Sequence, residues 1–328
     1  MNYRLFQPLN KELSQLCMGT MNLGSGADEA LSFALLDAYV AMGGNFLDTA
    51  RVYGAFETGN MGVAEQVIGH WLRARGNRNA LTLATKGGYH DMITKAPRLD
   101  KASLSADLEA SLSALGTSMV DIYWLHRDDP DRPVRDILET LHQFVLQGKV
   151  GCIGVSNWSI SRIREAQDIA LSEGLTPIAC NQPMWSLAKA QDLADTTLEQ
   201  MDAKLLAFHV KMNMPCIPYS AQAKGFFLKM LADGEQALKP DVRARYLSAE
   251  NMRTFAEIRE VCAESGMRVN AVTLAALMGQ PFPVFPIVGA SGMEQMRVLE
   301  GVSNARLQPE LIARLMRISG LEKTVQGV

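Results

Sequence analysis

Cysteine is scarce and unpatterned. The chain has five in 328 residues, an odd number with no Cys-x-x-Cys pair. Neither a disulfide framework nor a zinc site has spacing to support it. Cys17, Cys152, Cys180 and Cys216 fall instead in short apolar runs and read as small buried hydrophobes in a reducing compartment. No apolar run approaches the length of a membrane span. The opening residues Met1-Asn2-Tyr3-Arg4-Leu5-Phe6 lack the apolar core of a signal peptide, so the expected location is cytoplasmic. Charge of one sign is lacking too. Lys and Arg number 32 against 35 Asp and Glu, a net charge of −3. With no basic run, nucleic acid and anionic membranes are poor candidates as partners. His70, His90, His142 and His209 are scattered without ligand spacing, so no metal is expected.

What remains is ordinary globular composition, 48% hydrophobic and 20% charged, enough for a sizeable core. Short apolar runs alternate with amphipathic stretches. The runs are 16–20, 45–48, 81–85, 120–125, 150–155, 178–181, 216–219 and 284–288. They are mostly continuous in polarity, as strands buried on both faces are. Between them Leu31, Leu35, Ala38 and Met42 recur at helical spacing before Gly43-Gly44. Leu104, Leu108, Leu112 and Leu115 do so before Gly116. Val134, Ile137, Leu138, Leu141 and Val145 follow Pro133 and precede Gly148. Eight strand–helix units predict a (β/α)8 barrel, read as one domain over 1–328. The rival open sheet announces itself with Gly-x-Gly-x-x-Gly, which Met21-Asn22-Leu23-Gly24-Ser25-Gly26 matches only in part. Residues 3–6 with 14–16 predict a β-hairpin at the barrel floor. The irregular stretch 222–248 predicts short helices over or beside the barrel mouth.

In such barrels chemistry sits at the C-terminal strand ends. Asp48 ends the second run, Lys86 follows the third and His126 the fourth, while Tyr53 comes five residues after Asp48. Each has a structural reading alone: an N-cap, a snorkelling lysine, a core histidine, a loop aromatic. Together they form a sensible set. A tyrosine with its ordinary pKa of about 10 is a reluctant proton donor at neutral pH. An ammonium beside it should lower that value, a carboxylate keeps the ammonium charged, and a neutral histidine orients a carbonyl.

The segments Asn45-Phe46-Leu47-Asp48-Thr49-Ala50 with Val52-Tyr53-Gly54, Ala84-Thr85-Lys86, Asp121-Ile122-Tyr123-Trp124-Leu125-His126, and Gly148-Lys149-Val150 with Ile153-Gly154-Val155-Ser156-Asn157 carry a resemblance. In this order they resemble the signature segments of the aldo-keto reductase family, over about 19–291. The resemblance implies a catalytic tetrad of Asp48, Tyr53, Lys86 and His126, with Tyr53 as the proton donor in reduction. It also implies a nicotinamide dinucleotide bound without a Rossmann domain. Ser156, Asn157 and Gln182 would hold the carboxamide and Tyr219 would stack on the ring. Thr20 would border the cofactor, and Ser220, Lys224 and Gly225 would cradle the pyrophosphate. Gly289, Ser291, Gln295 and Arg297 would grip the adenosine end. An arginine there favours NADPH, with NADH possible. Ala221-Gln222-Ala223 departs from the Pro-Leu pair often seen at that point, and no closing Glu-Asn pair follows Glu300.

Tyr89, Arg127, Trp158 and Trp185 are candidates to line the substrate pocket, and 127–131 reads as a substrate contact or a solvated loop. An aldehyde, a ketone and a sugar-like carbonyl all fit as substrate. Two other functions share the fold. One is a cofactor-binding regulatory subunit with little turnover. The other is a lyase using Lys86 as a Schiff-base nucleophile, which needs a neutral amine.

Overall fold

The structure, a computed structural model, describes residues 1–191 and 195–321. An antiparallel hairpin comes first, β1 (Tyr3–Phe6) against β2 (Lys11–Ser14). Its second arm starts earlier than the expected 14–16. A turn at Gln7–Leu9 with Asn10 in the left-handed region (φ 49°) reverses the chain before Lys11. Then come β3 (Cys17–Gly19), β4 (Phe46–Asp48), β5 (Thr82–Gly87), β6 (Val120–Leu125), β7 (Val150–Ser156), β8 (Ile178–Gln182) and β9 (Ile287–Val288). All seven are parallel, in the order β8-β7-β6-β5-β4-β3-β9. They curl into a barrel wall surrounded by helices, as the alternating pattern implied.

The three helical stripes form helices Glu29–Ala41, Lys101–Leu115 and Val134–Leu146. Asp28 and Asp100 cap the first two by accepting from backbone N–H groups of the first turn. Gly116, at φ 63°, ends the second. Segment 222–248 folds as short helices, Phe226–Asp233 and Pro240–Tyr246, joined by 3-10 turns.

The expected strands at 216–219 and 284–288 are corrected. Only Ile287–Val288 is a regular strand there, and Cys216 makes isolated bridges to Asn181 and Val284. Pro215, Pro218, Pro283 and Pro286 have no N–H to give to a ladder. Their carbonyls still accept, from Asn181, Ile287, Cys216 and Cys17. Those bonds carry the wall from β8 round to β9 and β3.

The core has two layers. Phe6, Leu13, Cys17, Phe46, Ala84, Ile122, Trp124, Cys152, Cys180, Ile217 and Phe285 fill the barrel interior. Leu47, Leu83, Tyr123 and Leu125 face the helices. Gly154 makes room for the largest interior ring: a Cβ there would meet Trp124 at 2.2 Å. The hairpin residues Phe6 and Leu13 belong to the interior layer, so β1 and β2 close the floor.

Candidate active site

Strand alternation builds the site. Phe46 points into the barrel, so Asp48, two residues on, does too; Ala84 precedes Lys86, Trp124 precedes His126, Cys152 and Gly154 precede Ser156, and Cys180 precedes Gln182. Register then brings these ends to one rim, with Asp48 beside Gly19 and Ala84, Lys86 beside Trp124, and Ser156 beside Gln182.

Lys86 is the hub. Its buried Nζ donates to Asp48 Oδ2, to the Thr49 carbonyl at 2.8 Å and to Tyr53 Oη at 3.1 Å. It also sits 4.7 Å from the Tyr53 ring centre. Gln182 Nε2 donates to the other Asp48 oxygen at 3.0 Å, so this carboxylate is satisfied on both sides. The Tyr53 loop is tied to the same strand: Arg51 N–H donates to the Lys86 carbonyl at 3.0 Å. Thr85, facing outward, donates to Glu65 at 2.6 Å, and Glu65 lies 3.7 Å from the Arg51 guanidinium. Sequence reasoning missed Glu65, whose signal was a carboxylate at an otherwise buried helix position.

Burial acts to lower the Lys86 pKa, and Asp48 and Tyr53 more than offset it, leaving the ammonium held above its ordinary value. That disfavours the neutral amine a Schiff-base enzyme needs. The Tyr53 expectation is corrected. Burial pushes the phenol above its ordinary value, and Lys86 opposes but does not overcome it. Burial, then Lys86 and Arg127, hold His126 well below the ordinary histidine value. Its ring is therefore neutral at pH 7, with a buried Nδ1 that has no partner among the described residues. The set thus holds a protonated phenol beside a cation able to stabilise its conjugate base, next to a neutral imidazole.

A cavity of about 680 Å³ opens above, within the range of cofactor and substrate pockets. Tyr53, His126, Thr20, Ser156, Asn157, Gln182, Tyr219, Ser220, Lys224, Gly225, Gly289, Ser291, Gln295, Tyr89 and Arg127 line it. Asn157 Nδ2 donates to Ser156 Oγ at 3.0 Å, and its Oδ1 accepts from Tyr219 Oη at 2.8 Å. Ser220, Ala223 and Lys224, all non-glycine, adopt positive φ just before Gly225 at φ 78°.

Three expected residues lie elsewhere. Arg297 is exposed on helix Met293–Glu300, away from the cavity. Gln295, Val298 and Leu299 share the inner face at i, i+3 and i+4, and Arg297 is turned about 200° from Gln295. Trp158 is fully buried, giving its indole N–H to the Arg127 carbonyl at 3.3 Å. Trp185 is buried against Phe282, with ring centres 6.3 Å apart. Neither lines the cavity; both serve the core. Asp128 in the polar run after His126 is engaged bidentately by Arg162. Val52, Phe56 and Leu198 line the wall without having been foreseen, since loop apolar residues carry no spacing signal.

A norsolorinic acid reductase, stcV, from Emericella nidulans is 28% identical, covering 90% of this chain and 75% of its own. An aryl-alcohol dehydrogenase [NADP(+)] from Phanerodontia chrysosporium is 30% identical, with 89% and 75% covered. An aldo-keto reductase, ausK, from Aspergillus calidoustus is 28% identical, with 98% and 82% covered. The model of the Aldo/keto reductase family matches residues 15–319. With the strand ends, the lysine-centred cluster and the cavity in the same places that match spans, the chain belongs to the aldo/keto reductase family of oxidoreductases.

Proposed function

We propose that this chain is an NADPH-dependent reductase of small carbonyl compounds, acting as one barrel domain over 1–328. The observation that carries the reading is Lys86 Nζ bonded at once to Asp48 and to Tyr53 Oη beneath an open cavity. A reduced nicotinamide dinucleotide, when bound, supplies the hydride for the carbonyl carbon. Tyr53 gives its hydroxyl proton to the carbonyl oxygen, and Lys86 stabilises the phenolate left behind. Asp48 keeps Lys86 charged. Neutral His126 orients the carbonyl as a hydrogen-bond donor. In the oxidative direction the Tyr53 phenolate takes the proton back.

The wall chemistry fits the cofactor. Ser156, Asn157 and Gln182 offer the uncharged donors and acceptors that a carboxamide needs, and Tyr219 offers an aromatic face. Positive φ at three non-glycine residues stores strain at the Ser220–Gly225 turn, a mark of ligand cradles, with Lys224 on the wall beside it. Gly289, Ser291 and Gln295 would border the adenosine end, with Thr20 beside the nicotinamide. NADPH over NADH rests on the NADP(+) named for the aryl-alcohol dehydrogenase relative, since Lys224 sits where the two cofactors share a pyrophosphate.

Fluorescence titration with NADPH and NADH, then absorbance of NADPH with para-nitrobenzaldehyde, tests the reading. Tight NADPH binding with turnover is expected. Binding without turnover across aldehydes and ketones would favour a regulatory subunit, and borohydride trapping of a substrate on Lys86 would overturn the proton-donor role.

A further inference from the structure

The charged side chains on the cavity wall are all cationic. Arg127, Lys224 and Lys229 line it and, among the described residues, no carboxylate does, in a chain whose net charge is −3. Lys224 lies in the Ser220–Gly225 turn read above as the pyrophosphate cradle and pairs with Asp241 at 2.7 Å, and Lys229, on the helix that follows, donates to the Lys224 carbonyl at 2.8 Å. Arg127 stands apart from them, directly after His126. Its guanidinium lies 5.1 Å from the Tyr89 ring centre, and that ring is 4.9 Å from His126.

The arginine is underused. Nη1 donates to the His126 carbonyl at 3.0 Å, and Nη2 reaches Asp195 at 3.3 Å. Nε is buried with no hydrogen-bond partner among the described residues. A guanidinium offers five N–H directions in a fork shaped for a carboxylate. The bond to Asp195 is long and single, unlike the two-bond grip of Arg162 on Asp128. The arginine side chain is only 12% exposed while Asp195 is 37% exposed, so the cation is sunk and its counterion is shared with water. Beside it Tyr89 and Phe56 meet edge to face at 5.9 Å and offer apolar ring surface.

We propose that the substrate is a planar aromatic carbonyl compound bearing a carboxylate, with the carboxylate on Arg127 and the carbonyl toward Tyr53 and His126. This rests on the carbonyl-reductase reading above. Tyr89 and Phe56 receive the ring, and the fork of Arg127 fixes which end enters first. The exchange of Asp195 for a better-placed carboxylate frees a surface aspartate to water at little cost.

The test compares NADPH oxidation with para-formylbenzoate and with its methyl ester, the same ring and carbonyl without the charge. The expected kcat/KM favours the acid by about tenfold or more, mainly through KM. Arg127→Met, which keeps the apolar stem, should bring the ratio to about one. Asp195→Asn, which removes the competing carboxylate, should raise it, and decides the matter if the arginine variant does not fold. A wild-type ratio near one, or a ratio that survives Arg127→Met, overturns the proposal while leaving carbonyl reduction standing. Reduction of neither compound while para-nitrobenzaldehyde is still reduced overturns this proposal alone, and binding of NADPH without turnover of any aldehyde or ketone overturns both.

Discussion

A phenol can donate a proton only while it holds one. Burial keeps the Tyr53 pKa above its ordinary value of 10.0, so the donor stays loaded through the neutral range. In reduction, Tyr53 ionisation should therefore cost no rate below about pH 9. The rate falls only as pH rises through the raised value. A descending limb near neutrality that disappears in Tyr53→Phe would contradict this. Tyr53→Phe itself should cut kcat by roughly a hundredfold to ten-thousandfold with the NADPH dissociation constant unchanged, read by fluorescence titration. Lys86→Met removes the group that opposes burial. The alkaline limb of the oxidation rate, which needs the phenolate, should then move to still higher pH. A limb that stays in place would separate Lys86 from the proton transfer.

Elements differ in how plainly the sequence announces them. Asp48, Lys86 and His126 were legible as polar residues at strand ends, and strand alternation with parallel register carries Ser156 and Gln182, expected only from the family resemblance, to the same rim. Arg297, expected at the adenosine end, is out of phase with Gln295 and Val298 on its helix and faces solvent. Trp158 and Trp185 were illegible for another reason. Beyond a strand end the direction of a side chain is set by packing partners such as Phe282, which lie far off in sequence. The closing segments at 216 and 284 have strand-like composition but too many prolines for a ladder. The hairpin was legible as an element, and its burial makes it testable. Phe6 is fully buried and meets Phe285 edge-on at 5.8 Å. Phe6→Ala should cost about 3–5 kcal/mol, seen as a lower denaturant midpoint. NADPH affinity should hold, because the hairpin closes the end of the barrel away from the rim. A variant that binds NADPH poorly while keeping its midpoint would break that assignment.

At the scale of the whole molecule, two neutral histidines tie the fold to pH. His209, on the helix Ala203–Met212, is buried facing Asn181 of β8 and stacked on Phe282 at 5.2 Å. Its Nδ1 lies 2.9 Å from the Met214 carbonyl, and its Nε2 lies 3.2 Å from Asn181 Nδ2. The carbonyl can only accept, so the proton sits on Nδ1 and Nε2 accepts from the amide. Protonating Nε2 would set two donors against each other in a dry site. Burial lowers its pKa from 6.5 to about 4, and His126 is lowered as well. For a group depressed in the folded state, the unfolded chain binds more protons in the window between the two values. Stability is then full above pH 6.5 and falls as pH drops toward 4, by up to about 1.4 kcal/mol per pH unit for each histidine. Glu65 works the other way, because burial raises its carboxyl and mild acid relieves it. Comparing wild type with His209→Gln cancels that contribution. Urea denaturation at pH 7, 6 and 5 should give a shallower loss of stability in His209→Gln than in the wild type, whatever the offset at pH 7. Parallel slopes would mean that His209 does not titrate between the folded and unfolded states, and the acid sensitivity would then come from the other depressed groups, His126 and His90 among them.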